Sequence, residues 1–369
     1  MPRVVVVKLG TNLVTNRDGT PDTAVLSDVA RQAGELWHEG RRVVIVSSGA
    51  VGVGASLLKL GRRPRDLSVQ QAAAAVGQPA LMSAWSEAFS GATLAVGQVL
   101  LTREDADERG RFLNLRNTIH ALWRMNAVPI VNENDTVSTA ELRGGSSGAE
   151  TFGDNDRLAA VVAGALSAEL LVMLTTVNGL QNAAGEVIST VESLRDAAVH
   201  VRTGTSAGGT GGMASKLAAA ALVTRAGETM VLANGREADV LLRAVRGESI
   251  GTRFPPAAGS RLSGRGRWIA SAEAAGRLTL DAGAARALRG GSASLLPAGI
   301  TGVIGDFARG DVVDLMDDAG AGVGRGLTNY DAEVIRRIAG KRSGELGEVL
   351  TAPYHEEVVH RDHLVRVGE

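Results

Sequence analysis

Two rhythms alternate through the first two-thirds of the chain. Val4 to Val7, Arg42 to Val46, Thr93 to Leu101, Val128 to Val131, Leu170 to Leu174 and Thr229 to Ala233 are short, nearly uninterrupted apolar runs. Between them, Ala24 to His38, Val69 to Phe89, Arg111 to Met125, Asp156 to Leu166 and Lys216 to Arg225 have the composition and spacing of helices. A strand with no polar alternation is buried on both faces, so the pattern predicts an α/β fold with a parallel-rich central sheet sandwiched by helices. Near residue 252 the rhythm changes. Phe254 to Ser260 is rich in Pro, Gly and Ala, and residues 254–267 read as a linker between a domain at 1–253 and one at 268–369. Beyond it, Gly276 to Leu280, Ser294 to Pro297, Gly302 to Gly305 and Asp311 to Met316 are short strand candidates at close spacing. They predict a small β-barrel-like domain, with Asp331 to Ala339 as its one clear helix. No internal repeat is visible.

Composition narrows the function classes. The chain has 369 residues, enough for two domains with separate cores. Its formal charge is −1, from 39 basic against 40 acidic residues, which disfavours a protein that grips nucleic acid by bulk positive charge. There is no cysteine, so disulfides and thiolate metal sites are excluded. No apolar run approaches the ~20 residues that span a bilayer, and Val4 to Val7 follows Met1-Pro2-Arg3 too directly for a signal peptide. A cytoplasmic location, with no membrane partner, is the expectation.

The polar residues of interest gather just past predicted strand ends, where ligands bind in open parallel sheets. Lys8 ends the first strand and precedes Gly10. Ser47-Ser48-Gly49-Ala50 follows the second and opens a helix; it reads as a nest for a carboxylate or another anion. Its glycines, at 49, 52 and 54, do not have the spacing of a dinucleotide fingerprint. Asn132-Glu133-Asn134-Asp135 follows a later strand, and Gly153-Asp154-Asn155-Asp156 opens a helix. Amides can hold the charged ends of an amino acid, and carboxylates can hold an ammonium group, a lysine or Mg²⁺. Asp154 or Asn155 can equally cap the helix that follows, and the two roles are compatible. Gly208 to Gly212 places four glycines around Thr210, and Met213, Ala214, Ser215 and Lys216 lead into a helix. It is not a Walker A loop. It reads as a phosphate cradle or as a flexible loop, and Lys8, bringing charge from a second side, favours the cradle. His355 to His360 has the wrong spacing for a zincin site, so a solvated terminal strand is expected there and no metal site.

Lys8-Leu9-Gly10-Thr11, the Ser-Ser-Gly-Ala loop, Asn132 to Asp135, Gly153 to Asp156 and Thr210 to Lys216 occur in one order. That set resembles the glutamate 5-kinases of the amino acid kinase family. Ser294 to Ile300 and Arg336 to Gly340 resemble the PUA domain that bacterial members carry at the C-terminus. The resemblance covers nearly the whole chain. It implies transfer of a phosphoryl group from ATP to the side-chain carboxylate of L-glutamate, giving glutamyl 5-phosphate, the first step of proline biosynthesis. It implies Lys8 and Lys216 on the ATP phosphates, with Asp154 orienting the two lysines and Mg²⁺ assisting. Ser48, Gly49, Asp135 and Asn155 would hold glutamate. Thr175, Thr176 and the stretch Thr210, Gly211, Gly212, Met213, Ala214, Ser215 would touch the nucleotide. The chain departs from the family pattern at Thr176, usually Asp, at Gln181, commonly Tyr, and in a longer segment from Leu142 to Phe152. The resemblance further implies feedback by proline, contact with the glutamyl phosphate reductase that acts next, and a homo-oligomer, dimer or tetramer. Acids outnumber bases in the PUA-like tail, so strong RNA binding is not expected.

Overall fold

The computed structural model describes residues 3–61, 64, 66–137, 154–194, 197, 210–257, 262–291, 293–350 and 354–366. The chain divides into two compact units, Met1–Ala257 and Ala258–Glu369.

The first unit is built on a seven-stranded sheet in the order β3-β4-β2-β1-β5-β6-β7. Its strands are β1 (Val4–Leu9), β2 (Arg42–Ser47), β3 (Ala95–Leu101), β4 (Ala127–Glu133), β5 (Leu170–Thr175), β6 (Thr229–Asn234) and β7 (Thr252–Phe254). Every pairing from β3 to β6 is parallel, and only β7 runs antiparallel, against β6. The valines of β1 are buried because the strand is central, with Val5 opposite Val43 on one side and Leu170 on the other. Here the expected α/β class is the observed one.

The helices of this unit are α1 (Thr11–Val14), α2 (Thr23–His38), α3 (Ala50–Leu57), α4 (Leu67–Phe89), α5 (Arg103–Asp107), α6 (Arg109–Arg124), α7 (Asp154–Leu166), α8 (Thr210–Ala226) and α9 (Val240–Arg246). Asp22 and Asp66 cap α2 and α4 by accepting from Val25 N and Val69 N. Three differences from the sequence reading have physical reasons. Phe254 is not linker: it is fully buried in β7, opposite Met230. Helix α9 was not foreseen. It starts at the left-handed Asp239, and Gln32 supplies its cap from a distance by accepting from Leu241 N and Leu242 N. Helix α8 begins at Thr210 rather than Lys216, because glycines are tolerated in a first turn whose N–H groups bond nothing within the helix.

The second unit holds a five-stranded sheet, β12-β11-β10-β8-β9. Its strands are β8 (Gly276–Leu280), β9 (Ile300–Gly305), β10 (Val312–Asp317), β11 (Gly322–Leu327) and β12 (Leu364–Arg366). All neighbours are antiparallel except β8 and β10. Leu278, Leu280, Ile300, Val313, Leu315 and Val323 form its core with Ile335 and Ile338 of α12 (Ala332–Ile338). That helix is not alone: α10 (Gly264–Ser271) and α11 (Ala282–Arg289) start at Ser263 and Asp281 caps. Ser294 to Pro297 contributes one bridge, Leu295 to Val359, instead of a strand. The expected terminal strand at 355–360 is irregular, and it buries Val358 and Val359 while β12 follows it. Among the described residues no helix is long and apolar enough to cross a membrane.

Candidate functional site

The carboxyl ends of β1, β2 and β4, the first turn of α7 and the second turn of α8 supply the polar side chains of one site. The strand order makes this the expected place: the chain leaves β1 toward β2 on one side and returns to β5 on the other.

Lys8 is 6% exposed, at the penultimate position of β1. A buried ammonium requires a counter-charge. Asp156, 3% exposed in the first turn of α7, provides it at 2.5 Å from Lys8 Nζ. The other oxygen of the same carboxylate lies 3.2 Å from Lys216 Nζ and accepts a 2.6 Å hydrogen bond from Ser215 Oγ. Lys216 Nζ also donates to the carbonyl of Gly212, at 2.9 Å, one helical turn back. One carboxylate therefore ties the N-terminal strand to the glycine-rich start of α8. Two ammonium groups and one carboxylate leave a formal excess of one positive charge.

Burial alone would raise Asp156, but the charges of Lys8 and Lys216 and hydrogen bonds from Lys8 and Ser215 hold it below the usual carboxylate range. Burial pushes the Lys8 ammonium down, and the like charge of Lys216 pushes the same way against Asp156. A site so arranged gains by receiving an anion, because the anion relieves the repulsion between the lysines.

The acid seen between the lysines is Asp156, while the expected role of Asp154, two positions earlier, falls on a side chain outside the described residues. The helical phase of α7 turns residue 156 toward β1. A run of Asp-Asn-Asp gives no phase by itself.

Beside this charged cluster lies an uncharged one. Gly49 takes φ +114°, and a Cβ there would press on Val14 at 3.1 Å, so the turn from β2 into α3 requires glycine. Ser48 N donates to Leu9 O at 3.2 Å, which fixes the loop against β1. Asn155 Nδ2 donates to Ser48 Oγ and to Asn132 Oδ1, both at 3.0 Å. Asn132 Nδ2 donates in turn to Gln78 Oε1 of α4, at 2.8 Å. Ser48, Asn155 and the end of β4 thus meet as the sequence suggested. Asp135 follows β4 in a turn and is half-buried. Gln78 was not foreseen; its only sequence signal is a polar residue on the apolar stripe Ala74, Leu81 and Trp85.

Thr175 ends β5, with Gly235 N bonded to its carbonyl at 2.8 Å, and Thr176 is exposed beyond it. Gly212, Met213, Ala214 and Ser215 lie in the first two turns of α8. The side chain of Thr210, the whole Leu142 to Phe152 segment and Gly208-Gly209 before α8 fall outside the described residues. Among the described residues no three His, Cys, Asp or Glu side chains converge as a metal cage.

The chain has relatives among known proteins. The profile described as Amino acid kinase family matches residues 3–234, and that described as PUA domain matches residues 276–350. The chain is 46% identical to a glutamate 5-kinase of Myxococcus xanthus, covering 98% of this chain and 96% of that one. It is 42% identical to the glutamate 5-kinase of Moorella thermoacetica, over 99% and 97% of the two chains. For the Thermus thermophilus protein of the same name the identity is 44%, over 98% and 96%.

Proposed function

From its membership of the glutamate 5-kinases, within the amino acid kinase family, we propose that this chain transfers the γ-phosphoryl group of ATP to the side-chain carboxylate of L-glutamate. The observation that carries the reading is the juxtaposition just described. A buried cluster with one excess positive charge, suited to a polyphosphate, adjoins an uncharged amide and hydroxyl cluster suited to an amino acid. The two are joined at adjacent residues, Asn155 and Asp156.

A glutamate side chain has a pKa near ~4.3 and is already ionised at neutral pH, so it is its own nucleophile. A carboxylate oxygen forms a bond to the γ-phosphorus, the bond from that phosphorus to the β–γ bridging oxygen breaks, and ADP leaves with the electron pair. No proton moves, in keeping with a cluster whose described residues include no histidine. The difficulty is electrostatic, since one anion must approach another. Lys8 and Lys216 supply fixed positive charge, and Asp156 holds both ammonium groups in place before substrate arrives. The N-termini of α3 and α8 add the partial positive charge of unbonded N–H groups. We assign Mg²⁺ to the phosphates of ATP, with which it enters as part of the substrate. The proposed compartment is the cytoplasm.

ADP release measured in parallel with glutamate, aspartate and N-acetylglutamate tests the reading. Turnover with glutamate should dominate; preferred turnover of either rival would transfer the chain to a sibling specificity. Adding proline to the glutamate reaction tests feedback control, which the same reading predicts as inhibition.

A further inference from the structure

The buried amides have a direction, and one backbone group sets it. Glu133 N–H can only donate, and it meets the side chain of Asn132 at 2.9 Å, so the atom it meets is Oδ1. The other end of Asn132 is therefore its NH₂ group, and the atom of Gln78 facing it at 2.8 Å must accept. Asn132 Oδ1 also takes a hydrogen from Asn155, whose facing atom is thereby Nδ2. Both hydrogens of that NH₂ group are used, one on Asn132 and one on Ser48 Oγ. Two consequences follow for a ligand. Ser48 Oγ is an acceptor toward Asn155, so its own hydrogen is free to be donated. Asn155 Oδ1 is buried and has no hydrogen-bond partner among the described residues, so it stands as an acceptor.

We propose that Gln78 is a positioning residue for amino-acid selection: it anchors Asn132, and through it presents Asn155 as an acceptor and Ser48 as a donor. This inference rests on the kinase reading above and adds what distinguishes the acceptor substrate. An α-ammonium group matches the Asn155 acceptor, and a carboxylate matches the Ser48 donor. A dicarboxylate that lacks the ammonium group leaves the acceptor unmatched.

Helix α4 is built to hold this anchor still. Gly77, next to Gln78, packs so closely that a Cβ would lie 2.0 Å from the carbonyl of Ala50, at the start of α3. Gly54 makes the reciprocal contact, with a Cβ at 1.7 Å from the carbonyl of Ala73. Two turns along the same face, Trp85 Nε1 donates to Ser47 Oγ at 3.0 Å, and Ser47 Oγ donates to the carbonyl of Ser48. The loop carrying Ser48 is therefore tied to α4 at Gly77, at Gln78 through two amides, and at Trp85. Gln78 Nε2, meanwhile, is buried with no hydrogen-bond partner among the described residues. A residue chosen only to fill this core position would be apolar and would avoid that penalty.

The test compares glutamate with glutarate, which differs from it by the α-ammonium group alone, as ligands of the purified full-length enzyme. Glutamate KM, kcat, ATP KM and the glutarate inhibition constant are measured for wild type, Gln78→Met and Gln78→Glu. Met keeps the shape and removes the acceptor; Glu keeps both. Wild type should prefer glutamate over glutarate by at least about 10-fold, the scale of one charge-assisted hydrogen bond. Gln78→Met should raise glutamate KM by about 10-fold and abolish most of that preference, while kcat and ATP KM change by less than about 3-fold. Gln78→Glu should retain the preference. An unchanged preference in Gln78→Met, or equal loss in both variants, would overturn the proposal. If Gln78→Met does not fold, Gln78→Asn, which withdraws the acceptor by one methylene, carries the same expectation and the same refutation. Wild-type enzyme that does not turn over glutamate at all would instead refute the kinase reading beneath it.

Discussion

The two halves of the site solve opposite problems with different chemistry. The half at Lys8, Asp156 and Lys216 is ionic, with side chains of formal charge held against each other in a buried setting. The half at Gln78, Asn132, Asn155 and Ser48 is ordered by donor and acceptor polarity rather than by charge. A phosphoryl group in transfer spreads negative charge over several oxygens, so it is met best by cations that need no precise angle. An amino acid offers one donor end and one acceptor end at fixed separation, so it is met best by amides with a fixed direction. Asn155 and Asp156, neighbours in one helical turn, divide the site between charge and polarity.

The largest effect on the ionic half is expected from removing the shared carboxylate. Asp156→Ala leaves two ammonium groups without their counter-charge, and breaking a buried pair in this way costs about 3–5 kcal/mol. Chemical denaturation should show that loss, and a stability within about 1 kcal/mol of wild type would refute the structural role of Asp156. The sign of its pH dependence follows from its depressed value. Its stabilisation is complete above the ordinary carboxylate range near ~3.9 and disappears as pH falls through the lower folded-state value. Tm should therefore fall more steeply below about pH 4 in wild type than in Asp156→Asn. Parallel slopes would contradict this.

Next in size are the lysines. Lys8→Ala or Lys216→Ala should lower kcat by at least ~10²-fold, the usual scale for one lost transition-state contact, with glutamate KM little changed. Near-normal turnover in a folded variant of either would remove that lysine from the chemistry. Gly77→Ala addresses the frame beneath the uncharged half. A Cβ that must displace the carbonyl of Ala50 should destabilise the protein toward the upper end of about 1–3 kcal/mol. Its residual activity should show a raised glutamate KM with an unaltered ATP KM; equal shifts in both would mean that α4 does not act on one half alone. The smallest effect is expected at Asp135. Asp135→Ala should raise glutamate KM by about 10-fold, as loss of one charged contact does, with kcat little changed. An unchanged KM would place Asp135 outside the acceptor site.

Much of this was legible in the chain. Val4 to Val7 can only be a strand buried on both faces, and polar residues just past such strands can only gather at one edge of the sheet. Lys8 and Ser48 were found in that way, and Lys216 by its glycine-rich approach. What stayed hidden depends on phase and distance. Which acid of Asp154-Asn155-Asp156 faces the lysines is decided by the rotation of α7 against β1, and no residue type encodes that rotation. Gln78 lies far in sequence from every residue it serves, inside an alanine-rich helix where a glutamine reads as surface. Helices α10 and α11 were missed because glycine and arginine mask their periodicity, although the caps Ser263 and Asp281 were there to be read. Strand β7 was missed because prolines directly after Phe254 make the segment look like a linker.

The most direct test of the whole account looks for the bond that the site is proposed to make. Glutamyl 5-phosphate is an acyl phosphate, and hydroxylamine attacks its carbonyl carbon to release phosphate and form glutamyl hydroxamate. With ATP, Mg²⁺ and glutamate, the enzyme should yield hydroxamate in step with ADP, and the rate should fall at least ~10²-fold in Lys8→Ala. ADP formation without hydroxamate, or hydroxamate formation of equal rate from aspartate, would contradict it.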